Sequence, residues 1–163
     1  MGDIETSDAS CRMIANRTGT IVVSVDYRLS PEYKFPTPLH DAYAALEWIY
    51  ENAAPLNGNA FKIIVGGDSA GGNLATVVSM MARDQNGPQV SRQVLIYPVA
   101  DLSYDTASYE EFQQGFGLDK DLMIWFGNHY IRDKSDQKKY ICSTFISRRL
   151  KQSASSYRHH SGM

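Results

Sequence analysis

Nowhere in these 163 residues does an apolar run approach the 18 or more that a membrane-spanning helix needs, so a helical span is not expected. The first ten residues, MGDIETSDAS, are polar and acidic, without the basic-then-apolar order of a signal peptide. Cysteine is scarce. Cys11 and Cys142 are too few for a disulfide framework and read as free thiols, the ordinary state in a cytoplasmic protein. Two phosphate-cradling patterns are missing. No G-x-G-x-x-G is present, and the glycines ending at Gly72 are followed by Asn73 and Leu74 where a P-loop needs Lys and Ser or Thr. No internal repeat is visible. With 43% hydrophobic and 21% charged residues, the composition excludes a disordered chain or a fibre, and the length suits one domain but not two.

Charge is unevenly spread. Residues 134–163 hold seven Lys and Arg against a single acid, Asp136, a local balance of +6 that leaves −8 on residues 1–133 within the net −2. A basic tail on an acidic body raises a nucleic-acid or membrane patch as one alternative. The tail carries no recognisable nucleic-acid motif and no aromatics interleaved with its charges, so no nucleic-acid partner is expected.

The body alternates two periods. TIVVSV at 20–25, KIIV at 62–65 and QVLIY at 93–97 are short β-branched runs, suited to strands buried on both faces of a parallel sheet. Between them lie helical spacings. In 38–53, Leu39, Ala42, Tyr43, Leu46, Ile49, Tyr50 and Ala53 recur at three- and four-residue steps, with Thr37 placed as N-cap and Pro38 as first helical residue. Further helices are predicted over 71–83, over 7–16 and from Asp119 onward, with turns at Thr18-Gly19, Asn57-Gly58 and Asn86-Gly87-Pro88. Strands alternating with helices of this length predict an α/β fold built of βαβ units.

Directly after the run 62–65 comes GGDSAGG, containing Gly67-Asp68-Ser69-Ala70-Gly71, a G-x-S-x-G match. The bare pattern arises by chance in roughly one chain of this size in twenty at average Gly and Ser usage. Its position between a buried strand and an amphipathic helix makes it informative. A nucleophile elbow holds serine on a sharp strand-to-helix turn, so its neighbours must lack bulk, and Gly67 and Gly71 are expected to meet that need. The turn would lift the Ser69 hydroxyl above the carboxyl end of the sheet, with the Ala70 N–H and the helix N-terminus facing a developing oxyanion.

With VDYRLSPEYKFPTPLHDAYAALEWI at 25–49, GGDSAGGNLA at 66–75, QVLIYPVADLS at 93–103 and LDKDLMIWFGNHYI at 118–131, the chain resembles the hormone-sensitive-lipase-like esterases of the α/β-hydrolase fold. These include bacterial carboxylesterases and arylacetamide deacetylases. The resemblance runs from about Gly2 to Ser147 and implies a partial α/β-hydrolase domain over 1–147. It implies Ser69 as nucleophile, Ala70 as oxyanion donor, and Gly67, Asp68, Gly71 and Gly72 as elbow residues, Asp68 being a structural neighbour. The implied reaction is hydrolysis of carboxylic esters with short or medium acyl groups, a small-molecule substrate, with neither metal nor cofactor.

Such chemistry needs a base and a group to orient it, in the chain order Ser, then acid, then His. The resemblance implies that the acid, the histidine and the upstream oxyanion loop fall outside residues 1–163. Of the local histidines, His40 reads as an exposed turn residue and His129 as a packing residue beside Trp125 and Phe126. His159 and His160 belong to residues 148–163, where the resemblance stops. Codons can be chosen for that segment so that a one-nucleotide shift encodes a loop and an apolar strand, so we expect a frameshifted ending. Two alternatives therefore stand beside a serine esterase: a catalytically inactive truncated fragment, or an interaction module.

Overall fold

The computed structural model describes residues 2–137; the tail from 148, with His159 and His160, lies outside the described residues, as does Cys142. Helix α1 spans Ile4–Thr18. Asp3 starts it with a reciprocal capping box, accepting from the Thr6 N–H while Thr6 Oγ1 accepts from the Asp3 N–H. Gly19 ends it at φ 66°, a left-handed conformation that glycine adopts without penalty. After α2 (Thr37–Asn52) come a 3-10 turn at Ala60–Lys62, strand β1 (Ile63–Asp68), α3 (Ser69–Asp84), β2 (Val90–Ile96), and helices α4 (Ala107–Glu111), α5 (Lys120–Tyr130) and α6 (Lys134–Gln137).

β1 and β2 pair in parallel, with Val65 opposite Gln93, Gly67 opposite Leu95 and Asp68 opposite Ile96. Their connection runs through α3, the βαβ arrangement that parallel pairing demands. α3 packs on the sheet and α2 packs on α3. The core lies between those helices and the segment after β2: Leu39, Tyr43 and Leu46 from α2 meet Leu74, Val77, Val78 and Ala82 from α3, with Leu102, Tyr104 and Ile131 closing the cluster. Val77 is wholly removed from solvent, and burial of such a side chain contributes about 1.5–3 kcal/mol.

Three expectations change. Residues 20–25 form no strand, because no backbone ladder pairs them among the described residues; strand character needs a partner as well as β-branched side chains. Burial of the strands on both faces also fails. β1 alternates between half-buried and exposed positions, and Ile64, Val94 and Ile96, which share the face away from α3, stay exposed. Finally, Thr37 is not the N-cap of α2. Pro36 holds that place without a side-chain bond, and its carbonyl accepts from the His40 N–H, while the Thr37 N–H is turned back to the Lys34 carbonyl.

The approach to α2 is held by side chains. The Arg28 guanidinium makes a forked pair with Asp41 at 2.8 and 2.7 Å, and the Arg28 backbone N–H donates to the same carboxylate at 3.0 Å. Lys34 Nζ donates to the carbonyls of Asn128 and Ile131 at the end of α5, where a cation suits the helix dipole.

Candidate active site

β1 passes into α3 with no intervening residue: Asp68 closes the strand with φ −102° and ψ 150°, and Ser69 opens the helix. Ser69 does so at φ 50°, in the left-handed region that costs a residue with a β-carbon about 1–2 kcal/mol. A serine held there by packing on both sides is a strand-to-helix elbow of the G-x-S-x-G kind.

Two glycines make the turn sterically feasible: Gly67, as expected, and Gly72 rather than Gly71. A β-carbon on Gly67 would strike the Gly71 backbone, coming within 2.6 Å of its carbonyl oxygen. One on Gly72 would lie 2.9 Å from Pro98 Cβ and 3.0 Å from the Gly67 oxygen. Gly71 itself has open space where its side chain would be. The crowding thus falls on Gly67 and Gly72, and Gly71 contributes only the backbone that Gly67 must clear.

The segment after β2 straps the elbow. The Val99 N–H donates to the Ser69 carbonyl at 3.1 Å, and Asn73 Nδ2 donates to the Val99 carbonyl at 2.8 Å. Asn73 is 5% exposed, a polar side chain on the face of α3 that also carries Val77 one turn later. The sequence signal was present: an amide among apolar residues at helical spacing is a buried polar group in need of a partner. The partner, 26 positions away, was not visible.

Ala70, in the first turn of α3, is exposed, and Ser69 is half-buried. The first-turn N–H groups of a helix lack intrahelical acceptors and carry the positive end of its dipole. Asp68 is exposed on the strand side. It acts on Tyr27, whose phenol is pushed above its ordinary range by burial first and by the Asp68 charge second. The DYR segment therefore lies close to the elbow although it forms no strand.

The two described histidines make their contacts elsewhere than at Ser69. The His129 ring lies 4.1 Å from that of Trp125, centroid to centroid, and its Nδ1 sits 2.9 Å from the Trp125 carbonyl. His40 is exposed on the first turn of α2. Among the described residues neither hydrogen-bonds to Ser69, no group of three His, Cys, Asp or Glu could hold a metal ion, and no helix is long and apolar enough to cross a membrane.

Residues 1–157 match a protein family described as having the alpha/beta hydrolase fold. Carboxylic ester hydrolase LipN of Mycobacterium tuberculosis is 43% identical over 138 residues, 82% of this chain and 37% of that protein. An arylesterase of Saccharolobus solfataricus is 40% identical over 151 residues, 92% of this chain and 49% of its own length. Among solved structures, the thermostable carboxylesterase EstE1 from a metagenomic library superposes with a TM-score of 0.87 at 45% identity, covering 90% of this chain and 51% of that one. The chain thus spans less than half the length of the curated relatives it matches.

Proposed function

Because this chain belongs to the α/β-hydrolase fold family, of the carboxylesterase type, we propose that it carries the nucleophile segment of a serine carboxylesterase acting on small-molecule esters with short or medium acyl groups. The observation that carries this reading is the backbone of Ser69, left-handed at φ 50° where β1 becomes α3. In the reaction, Ser69 Oγ attacks the ester carbonyl carbon as its proton passes to a general base, and the carbonyl oxygen becomes an oxyanion. The Ala70 N–H, at the positive end of α3, donates to that oxyanion. Collapse expels the alcohol, which takes up the proton, and leaves an acyl-enzyme on Ser69. Water, deprotonated by the same base, then attacks the acyl carbon and releases the carboxylic acid with Ser69 restored.

Neither described histidine hydrogen-bonds to Ser69, and by resemblance the base and its orienting acid come from outside residues 2–137. The chemistry needs neither metal nor cofactor. The test compares wild type with Ser69→Ala on a p-nitrophenyl ester of short acyl chain, with mass spectrometry of the quenched protein. In protein that includes the segments supplying the base, we expect an acyl adduct on the peptide containing Ser69 and a rate at least about 10²-fold above Ser69→Ala. Equal rates and no adduct would establish the alternative of a catalytically inactive fragment or interaction module.

A further inference from the structure

We propose that Asn73 is a positioning residue for Ser69, acting through Val99, an inference that rests on the nucleophile reading above. The Val99 peptide is gripped on both sides: its N–H donates to the Ser69 carbonyl at 3.1 Å and its C=O accepts from Asn73 Nδ2 at 2.8 Å. Asn73 and Ser69 are four residues apart on α3, so the three groups close a ring that joins the elbow, the first turn of the helix and the chain leaving β2. Pro98 rests against Gly72 at the spot where a larger residue would collide, which seats the ring without slack.

The ring answers a specific need. A left-handed serine drifts toward ordinary helical or extended backbone unless something outside the turn holds its peptide plane. The Val99 N–H is such a hold on the Ser69 carbonyl, and hence on the peptide whose nitrogen is the Ala70 N–H. Asn73, 5% exposed, fixes Val99 in turn. An apolar residue would leave the Val99 carbonyl without this donor, and a carboxylate would place negative charge against it.

Two variants separate this role from mere packing. Asn73→Leu removes the donor at similar volume. Asn73→Asp keeps the shape, repels the Val99 carbonyl when ionised, and donates to it again when protonated. Amide hydrogen exchange at Val99, read by NMR with global stability checked by circular dichroism, is independent of catalysis. We expect exchange at Val99 to accelerate at least about tenfold in both variants at neutral pH. We also expect kcat on a p-nitrophenyl ester to fall about tenfold with KM within twofold, since the defect lies in where the hydroxyl and the Ala70 N–H stand. The ratio of Asn73→Asp to wild type, taken at each pH, should climb as pH falls, while that of Asn73→Leu stays level. Unchanged Val99 exchange in both variants, or ratios with the same pH dependence, overturns the proposal. A Ser69→Ala enzyme as active as wild type would overturn the nucleophile reading instead, and the exchange data would still report on the ring.

Discussion

Tyr104 and Gly127 occupy one space: the phenolic oxygen of Tyr104 sits where a β-carbon on residue 127 would stand, with Tyr104 Cζ 3.1 Å from that point. Gly127 is buried within α5, and the Tyr104 hydroxyl is buried with no hydrogen-bond partner among the described residues. Gly127→Ala should therefore cost about 1–3 kcal/mol by overpacking, despite its gain in helix propensity. Tyr104→Phe, which removes the oxygen, should restore most of that loss in the double variant. Urea denaturation of the four forms of the cycle measures the coupling.

The same phenol carries a pH signature. Burial, with smaller contributions from Tyr109 and Asp101, pushes Tyr104 from its ordinary 10.0 up to about 12. The folded state thus holds a proton that the unfolded chain releases. The associated stability is complete below pH 10 and disappears as pH rises through about 12. Tyr104→Phe should flatten this alkaline decline in denaturation midpoint, and an unchanged slope would show that other groups cause it.

Arg28 and Asp41 make the opposite prediction at the acid end. The guanidinium's hydrogen bond, ahead of its charge, holds the Asp41 carboxyl below its usual 3.8. The unfolded chain takes up the proton first as pH falls, so the stabilisation is present above pH 3.8 and is lost as pH drops through the lower folded value. The difference in urea midpoint between wild type and Asp41→Asn should shrink steadily below about pH 4.

Adjacent glycines at the elbow should behave oppositely. Gly71→Ala adds a methyl to open space inside a helix and should stabilise by about 0.5–1 kcal/mol. Gly72→Ala drives a methyl into Pro98 and should destabilise by about 1–3 kcal/mol. Thermal midpoints of the two variants decide this, and equal values would contradict the asymmetry.

Ser69 itself opposes stability. Ser69→Gly should be more stable than Ser69→Ala by about 1 kcal/mol, because only alanine keeps a β-carbon at φ 50°. Both variants lack the hydroxyl, so catalysis does not enter the comparison. Chemical denaturation of the pair is sufficient.

Local signals carried much of this fold. The 3.6-residue spacing of Leu39, Tyr43 and Leu46 placed α2, and the run before GGDSAGG placed β1. What stayed hidden depended on partners far along the chain. TIVVSV reads as a strand by composition, yet a strand exists only where another ladder meets it. The sequence motif places the need for a missing side chain at Gly71, whereas Pro98 places it at Gly72. Gly127 had no sequence reason at all, its neighbour Tyr104 lying 23 positions earlier.

The sheet face away from α3 bears on how the molecule behaves in bulk. Ile64, Val94 and Ile96 lie on that face, 48%, 53% and 48% exposed, with Arg92 opposite Ile64, Gly66 opposite Val94 and Asp68 opposite Ile96. An exposed apolar face favours association between copies, which repulsion of their like net charge opposes. That repulsion vanishes near the sequence pI of about 6.1. Light scattering should therefore rise most steeply with concentration close to pH 6, and a lysine in place of Val94 should suppress the rise.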